Sequence, residues 1–276
     1  MTPVSADGRA EFSLLIEAIR PSLSTTLIIG GWAHRLHRLS PKARAVTYDP
    51  VFTYDADVVV TRDHSNREAD LKSALAHKGF TEQFSGEARP PVTHYQLGTE
   101  AKGFYAEFLT PLTGGTLRRD GTPDETAKVR GVNAQKLRHL ELLLIEPWTI
   151  EIGPHNGFAL QSPATVRVPN PASFIVQKML VLHLRKPEKR AGDLLYIHDT
   201  LDLFSPQLVD LSGIWRNQIK AALPEKALRE IRATARAQFD TVTDTIRDAA
   251  RIVPNRALDP SRMQQLCRVG LDRLLA

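Results

Sequence analysis

The chain has 276 residues, of which 42% are hydrophobic and 24% are charged, a composition typical of a folded globular protein. No run reaches the roughly 18 apolar residues of a membrane-spanning helix, and the first twenty residues lack the order of a signal peptide. The single cysteine, Cys267, excludes an intramolecular disulfide and a cysteine-based zinc site. We therefore expect a cytoplasmic protein with no membrane partner.

The excess of basic residues lies in the C-terminal part of the chain. Residues 1–169 carry 19 Lys/Arg and 19 Asp/Glu, whereas residues 170–276 carry 17 and 12, which accounts for the net charge of +5. This asymmetry indicates either a polyanionic partner, such as RNA, DNA or a triphosphate, or a solvated helical surface. Two rows of arginines at helical spacing leave the same alternatives open: Arg229, Arg232 and Arg236, and Arg247 and Arg251.

Residues 1–169 are predicted to form an α/β domain. An apolar face over residues 8–20 predicts a helix that ends at Pro21. Further helices are predicted at 32–39 and 65–78, and loops at 41–52 and 111–130. Strands are predicted at 27–29, 52–60, 81–84, 94–97, 103–109, 137–145, 148–152 and 165–168.

Residues 170–276 are predicted to form a helical C-terminal domain. The segment Pro169-Asn170-Pro171 marks the boundary, because the patterns after it have helical periodicity. Helices are predicted at 172–185, 190–204, 206–221, 224–250 and 259–274. The sequence leaves the oligomeric state open.

Two glycines, Gly30 and Gly31, follow the first predicted strand and precede a predicted helix. Glycine lets the backbone approach a phosphate closely, and the N-terminus of a helix favours an anion. The pair therefore indicates either a phosphate-binding turn or a tight strand-to-helix connection.

Two aspartates, Asp55 and Asp57, stand at the start of the apolar run 58–60 of a predicted strand. Side chains two residues apart on a strand project from the same face, so the carboxylates would repel each other unless a cation lay between them. Mg²⁺ prefers such oxygen ligands and keeps positions open for substrate phosphates. The pair predicts a magnesium site, with a solvated strand end as the alternative.

Together, Gly30-Gly31 and, after 23 further residues, Asp55-Ala56-Asp57 resemble the motif of the nucleotidyltransferase superfamily. The resemblance implies an α+β fold, with a polymerase-beta-like mixed sheet, flanking helices and a C-terminal helical domain. It also implies an enzyme that transfers a nucleotide from an NTP to an acceptor hydroxyl with two Mg²⁺ ions and releases pyrophosphate. The spacing is longer than in compact members because of the 41–52 insert, and such insertions cost little stability.

The superfamily usually carries a third carboxylate on a later strand, and two residues of this chain match it. Glu107 lies in the predicted strand 103–109 between apolar residues, and Glu151 has a similar setting in the strand 148–152. The resemblance implies that Asp55, Asp57 and Glu107 are catalytic and hold the metal, with Glu151 as the alternative third ligand. It also implies that Gly30 and Gly31 hold the β- and γ-phosphates.

A second resemblance lies downstream, in residues 171–178 and 189–199. A helix with Lys178, a charged turn and a helix with Asp193 are similar to uncharacterised bacterial nucleotidyltransferase-fold families related to abortive-infection and toxin–antitoxin transferases. Lys178 shares a helix face with apolar residues, and an unpaired buried charge is costly, so it needs a partner. A bound NTP or Asp193 would serve, which makes Lys178 and Asp193 candidate nucleotide-binding residues or a buried ion pair.

Other polar residues carry weaker predictions. His34 and His37, beside Arg35 and Arg38, would face a phosphate or form a solvated basic face, and the solvated face is the preferred interpretation. Arg62 and His64 are expected on a loop surface. The acceptor is open between RNA, a protein and a small molecule. The alternative function is a non-catalytic binding or antitoxin-type protein with the same fold.

Overall fold

The computed structural model describes residues 7–51, 53–61, 70–86, 88–98 and 103–276. The chain divides into two units, one formed by Met1–Ala33 and Phe52–Val168, the other by His34–Val51 and Pro169–Ala276. In the described ranges, every strand belongs to the first unit, and the second unit is helical. Arg62 and His64 lie outside the described residues, so their predicted surface position stays a prediction.

The first unit begins with alternating helices and strands and continues after its third helix with strands only, apart from short 3-10 turns. In chain order its elements are α1 (Arg9–Ile19), β1 (Thr26–Ile29), the start of α2 (Gly30–His37), β2 (Asp55–Val60), α3 (Leu71–His77), β3 (Phe80–Ser85), β4 (Val92–Leu97), β5 (Tyr105–Pro111), β6 (Thr126–Val129), β7 (Val132–Leu137), β8 (Trp148–Ile152) and β9 (Ala164–Val168).

The main sheet of this unit is mixed and has β5 near its centre. Its order is β1-β2-β5-β4-β3, and β7 pairs with the end of β5 and with β6. β2 and β7 run parallel to β5, while the other pairs are antiparallel. β8 and β9 form a separate antiparallel pair. The predicted mixed sheet is therefore confirmed.

Buried apolar side chains hold the sheet and its helices together. One cluster contains side chains from β1, β2, β5 and the turn after β7: Leu27, Ile29, Val59, Leu109, Leu140 and Leu143. A second cluster is aromatic, with Phe12 of α1 stacked on Trp32 of α2 at a centroid distance of 3.9 Å. Phe104 contacts the other side of this cluster, 6.3 Å from Trp32 edge-on. These clusters fix the start of α2 beside the sheet within the first unit.

The second unit consists of the end of α2, the segment that follows it to Val51, and six further helices. These are α4 (Pro171–Val181), α5 (Pro187–Leu203), α6 (Leu208–Ile214), α7 (Glu225–Phe239), α8 (Asp244–Arg251) and α9 (Pro260–Leu274). α5 is central, since it packs against α4, α8 and α9. None of the helices in the described part of the chain combines the length and hydropathy that a membrane-spanning segment requires.

Two element predictions in the first unit were wrong. The segment 137–145 is not a strand, because His139 has φ 65°, which ends the extended backbone and starts a 3-10 turn over Leu140–Leu144. The predicted loop 111–130 contains β6, which forms a hairpin with β7 through Arg130 and Gly131. Both residues have positive φ, the backbone that two-residue hairpins use.

The long helix predicted at 224–250 is two helices. α7 ends at Phe239, and Thr243 caps the start of α8 by accepting a hydrogen bond from the backbone N–H of Ile246. A threonine in this position stabilises a helix start, so the chain begins a new helix there. The helix predicted at 206–221 is regular only to Ile214 and then continues as irregular helical turns.

Candidate active site

Two neighbouring strands of the main sheet, β2 and β5, carry the predicted carboxylates on one face, and β4 adds a histidine beside them. Asp57 is paired in register with Glu107 of the parallel strand β5, and Asp55 is paired with Tyr105. On the other side of β5, His94 of β4 is paired with Glu107. Cross-strand partners and residues two apart share a face, so these five side chains form one polar patch. Towards the other end of β2, the same face carries Val59 of the apolar cluster.

Gly30 lies against the carboxylate of Asp57. It follows Ile29, the register partner of Asp57, and has φ +62°. A Cβ atom at position 30 would overlap Oδ2 of Asp57 and lie 3.2 Å from its Cγ. The absence of a side chain at Gly30 therefore leaves room for the Asp57 carboxylate at the N-terminus of α2, next to Gly31.

Glu107 has a partner that the sequence reasoning missed. Its Oε1 lies 3.2 Å from Nε2 of His94, and the His94 ring stacks on Tyr105 at a centroid distance of 5.1 Å. The neighbours of His94 in β4, Thr93 and Tyr95, are buried. Because successive side chains of a strand point to opposite faces, His94 projects to the other face, which is the face of the carboxylates. His94 thus positions Glu107 in this structure.

The pKa of Tyr105 reflects the negative charge of the patch. Burial raises the pKa of Tyr105, and the negative charges of Asp55, Glu107 and Asp57 raise it further. The phenol is therefore held protonated beside three carboxylates, where it can donate a hydrogen bond but cannot act as an anion at neutral pH.

The donor set of the patch fits a hard cation by its chemistry, since it offers carboxylate oxygens on adjacent strands. Among the residues that the structure describes, no three His, Cys, Asp or Glu side chains are already gathered as a ligand cluster. Glu151, the alternative third ligand, belongs to the separate pair β8–β9 and has a side chain that is 66% exposed, 3.7 Å from His155. Glu107 is the candidate that shares a sheet with Asp57.

The two remaining predicted nucleotide-binding residues, Lys178 and Asp193, form a buried ion pair in the helical unit. Nζ of Lys178 lies 2.5 Å from Oδ1 of Asp193, and Arg185 donates to the other carboxylate oxygen at 3.1 Å. Lys178 also lies 4.7 Å from the ring centroid of Tyr196. Of the two partners considered for Lys178, the structure provides Asp193. A contact of either residue with a nucleotide stays a prediction.

The expected solvated face of His34 and His37 was wrong. Both rings are fully buried in the helical unit, where they contact Phe174. Burial lowers the pKa of His34 to about 3 and that of His37 to about 4. Nε2 of His37 lies 2.8 Å from the carbonyl oxygen of Pro169, which accepts a hydrogen bond from the ring N–H. Both residues are neutral at pH 7, and aromatic packing, which a short sequence window does not reveal, is the reason for their burial.

A polar cluster in the helical unit also escaped the sequence reasoning. Arg256 donates to both carboxylate oxygens of Asp199 and lies over the ring of Tyr48, and His198 binds Asp199 through Nδ1 at 2.8 Å. Burial opposes ionisation of Asp199, but the hydrogen bonds from His198 and Arg256 outweigh it and lower the pKa of this carboxyl. The cluster borders a cavity of about 550 Å³, into which Arg44 and Asp202 also project.

Comparison with known proteins identifies the family of the chain. A family model described as nucleotidyltransferase matches residues 15–220, and the chain therefore belongs to this nucleotidyltransferase family. Among solved structures, the chain is similar to an antigenic nucleotidyltransferase-like protein from Paracoccidioides brasiliensis, with 17% identity, a TM-score of 0.39, and coverage of 83% of this chain and 95% of that chain. No curated protein matches the chain. The predicted family and the α+β fold class with C-terminal helices are confirmed.

Proposed function

We propose that this protein is a magnesium-dependent nucleotidyltransferase that transfers a nucleoside monophosphate from an NTP to an acceptor hydroxyl. The observation that carries the proposal is the register of Asp57 with Glu107, together with Gly30 against Asp57, in a chain of the nucleotidyltransferase family. The acceptor oxygen forms a bond to the α-phosphorus and its proton passes to solvent water, while the bond from that phosphorus to the bridging oxygen breaks and pyrophosphate leaves with the electron pair.

The residues of the polar patch have separate roles in this proposal. Asp55, Asp57 and Glu107 would hold two Mg²⁺ ions, which supply charge neutralisation at the phosphates. The backbone N–H groups at Gly30 and Gly31 donate to the phosphates, because the first N–H groups of a helix have no partner within it. His94 orients Glu107 through the 3.2 Å contact.

The test is a transfer assay with purified protein, Mg²⁺ and each α-labelled NTP in turn, with total RNA, total protein or a small-molecule pool as acceptor. The Asp55→Asn/Asp57→Asn variant should lose transfer. The matched control is Asp248→Asn/Asp272→Asn, which removes the same charge from two exposed positions of the helical unit. Label that appears with wild type and control but not with the site variant supports the proposal and identifies the acceptor class.

Absence of label with every acceptor, together with absence of Mg²⁺-dependent NTP binding in calorimetry, would contradict the enzyme proposal. The result would then favour the alternative, a non-catalytic binding or antitoxin-type protein with this fold. NTP binding that is lost in Asp55→Asn/Asp57→Asn but leads to no transfer would likewise count against catalysis and in favour of a nucleotide-binding protein.

A further inference from the structure

His94 and Glu107 face each other across the β4–β5 pair, on the face of the sheet that carries the polar patch. Nε2 of His94 lies 3.2 Å from Oε1 of Glu107. A charged hydrogen bond from a nitrogen to a carboxylate is shorter, about 2.7–2.9 Å. Two ligands at a right angle on an octahedral cation, with bonds of about 2.1 Å, are about 3 Å apart. The separation of the two atoms therefore suits one shared ion as well as a direct contact.

The imidazole ring of His94 is supported in this position by a neighbouring ring. It stacks on Tyr105 of β5, with an angle of 20° between the two ring planes. Tyr105 is paired in register with Asp55, so the stack stands beside the aspartates. His94 has 38% of its side chain exposed and Glu107 has 24%, so a hydrated ion can reach the contact. A ring that is already restricted loses less entropy when it becomes a ligand.

The contact lies at the end of a row of polar residues that crosses three strands. His94, Glu107 and Asp57 are successive register partners on β4, β5 and β2. Glu107 therefore has an imidazole on one side and a carboxylate on the other. Asp55 precedes Asp57 by two residues and shares its face. One nitrogen ligand thus joins a set that consists otherwise of carboxylate oxygens.

The imidazole differs from the other members of the set in charge and in chemical preference. The neutral form of histidine binds metal ions, so it adds a ligand without adding negative charge. Two divalent ions against three carboxylates leave the site net positive, which favours the phosphates of a nucleotide. Carboxylate oxygens suit both Mg²⁺ and Mn²⁺, whereas imidazole favours transition metals. A mixed set of this kind favours Mn²⁺ over Mg²⁺.

We propose that His94 is a ligand of the ion that Glu107 holds, so that this site binds Mn²⁺ more tightly than Mg²⁺; this inference rests on the metal site of the proposed function. Mg²⁺ binds through the carboxylate oxygens, and Mn²⁺ gains the nitrogen in addition. A histidine that only orients Glu107 would change the affinities for Mg²⁺ and Mn²⁺ by the same factor and would place no nitrogen on the ion. These two consequences distinguish a ligand from a positioning residue.

The experiment is electron spin-echo spectroscopy of Mn²⁺ bound to the untagged full chain, with the affinities for Mn²⁺ and Mg²⁺ measured by calorimetry. The wild type should show modulation from a directly bound ¹⁴N, which changes to the ¹⁵N pattern when the histidines are ¹⁵N-labelled. His94→Gln should bind Mn²⁺ without this modulation, and its preference for Mn²⁺ over Mg²⁺ should fall at least about tenfold. Glutamine can still donate a hydrogen bond to Glu107, and thermal unfolding checks that the variant folds.

The matched control is His155→Gln, which removes a histidine that lies 3.7 Å from Glu151 in the turn after β8. This variant should keep both the nitrogen modulation and the preference for Mn²⁺. Modulation that persists in His94→Gln, or a preference for Mn²⁺ that is equal in His94→Gln and the wild type, would overturn the inference. Mn²⁺ bound to the wild type without nitrogen modulation would overturn it as well.

Failure of this inference is distinguishable from failure of the proposed function. Mn²⁺ that is bound through the nitrogen of His94, without nucleotide transfer to any acceptor, contradicts only the transferase. Transfer supported by Mg²⁺, in a protein whose bound Mn²⁺ shows no nitrogen ligand, contradicts only the role of His94. A wild type that binds neither cation overturns the inference and the metal dependence together.

Discussion

Gly30 and Asp57 are so close that a Cβ atom at position 30 would overlap Oδ2 of the aspartate, so a side chain there would displace the carboxylate. The two residues are 27 positions apart in the sequence. The antiparallel pairing of β1 with β2 places Ile29 opposite Asp57, and the chain turns into α2 at Gly30, the residue after Ile29. The glycine motif and the aspartate motif are therefore parts of one site. A substitution at Gly30 consequently tests the position of the Asp57 carboxylate.

Replacement of Gly30 by alanine should reduce transfer activity by about a hundredfold, since a small displacement of an aligned group has such an effect. The left-handed backbone should also cost about 1–2 kcal/mol of stability. The matched control is Gly121→Ala, where φ is +79° and an added Cβ meets nothing within 4 Å. The control should lose similar stability but keep its activity in the same assay. Equal activity of the two variants would contradict the role of the Gly30–Asp57 contact.

The third carboxylate can be identified by a pair of isosteric substitutions. Glu107→Gln should reduce transfer by about a hundredfold or more, as expected when a charged group at a reacting phosphate is removed. Glu151→Gln should leave kcat and KM unchanged, because its side chain is largely exposed on a separate strand pair. Steady-state kinetics with saturating Mg²⁺ provides the measurement. The reverse pattern would transfer the predicted role to Glu151.

The buried ion pair of Lys178 and Asp193 should matter for stability. Lys178→Met leaves the Asp193 carboxylate with only Arg185 as a partner, so we expect a loss of about 3–5 kcal/mol in the free energy of unfolding, measured with urea. The double variant Lys178→Met/Asp193→Leu should lose less free energy of unfolding than the single variants Lys178→Met and Asp193→Leu lose together, because it leaves neither charge of the pair buried without its partner.

A matched control for this pair is Asp244→Asn, which breaks the exposed contact with Arg247 and should cost less than about 1 kcal/mol. The KM for NTP separates the two roles considered for Lys178. A raised KM in Lys178→Met with unchanged stability would favour direct contact with the nucleotide over the structural ion pair.

Acid should destabilise the protein through His34 and His37. Their folded pKa values, about 3 and about 4, lie below the ordinary value of 6.5, because burial disfavours the charged form. Above pH 6.5 both folded and unfolded histidines are neutral, and the stabilising contribution is complete. As the pH falls below 6.5, the unfolded chain binds protons first, so stability falls by up to about 1.4 kcal/mol per pH unit for each histidine.

Urea unfolding between pH 7.5 and pH 5 measures this slope. His34→Leu should reduce the slope of the free energy of unfolding against pH by the contribution of about one proton. His155→Leu, at a histidine whose side chain is 52% exposed, serves as the control for the loss of an imidazole. A slope in His34→Leu equal to that of the wild type would contradict the buried neutral state of His34.

Local patterns were sufficient where neighbours in sequence decide the structure. Alternation along β2 placed Asp55 and Asp57 on one face, and the pattern of residues 8–20 predicted α1. Local patterns failed where one residue changes the backbone, as at His139, or where a cap divides a helical pattern, as at Thr243. In both cases the apolar periodicity continues across the break, so periodicity alone cannot locate it.

The sequence by itself determined the α+β fold class, the Asp55 and Asp57 pair and the resemblance that the family match confirms. Only the tertiary structure decided that Glu107 and His94 stand beside Asp57, because strand pairing between distant segments is set by the packing of the whole sheet. It also decided that His34 and His37 are buried and neutral. Burial depends on side chains such as Phe174, which are more than a hundred residues away in sequence and reach the histidines only in the folded chain.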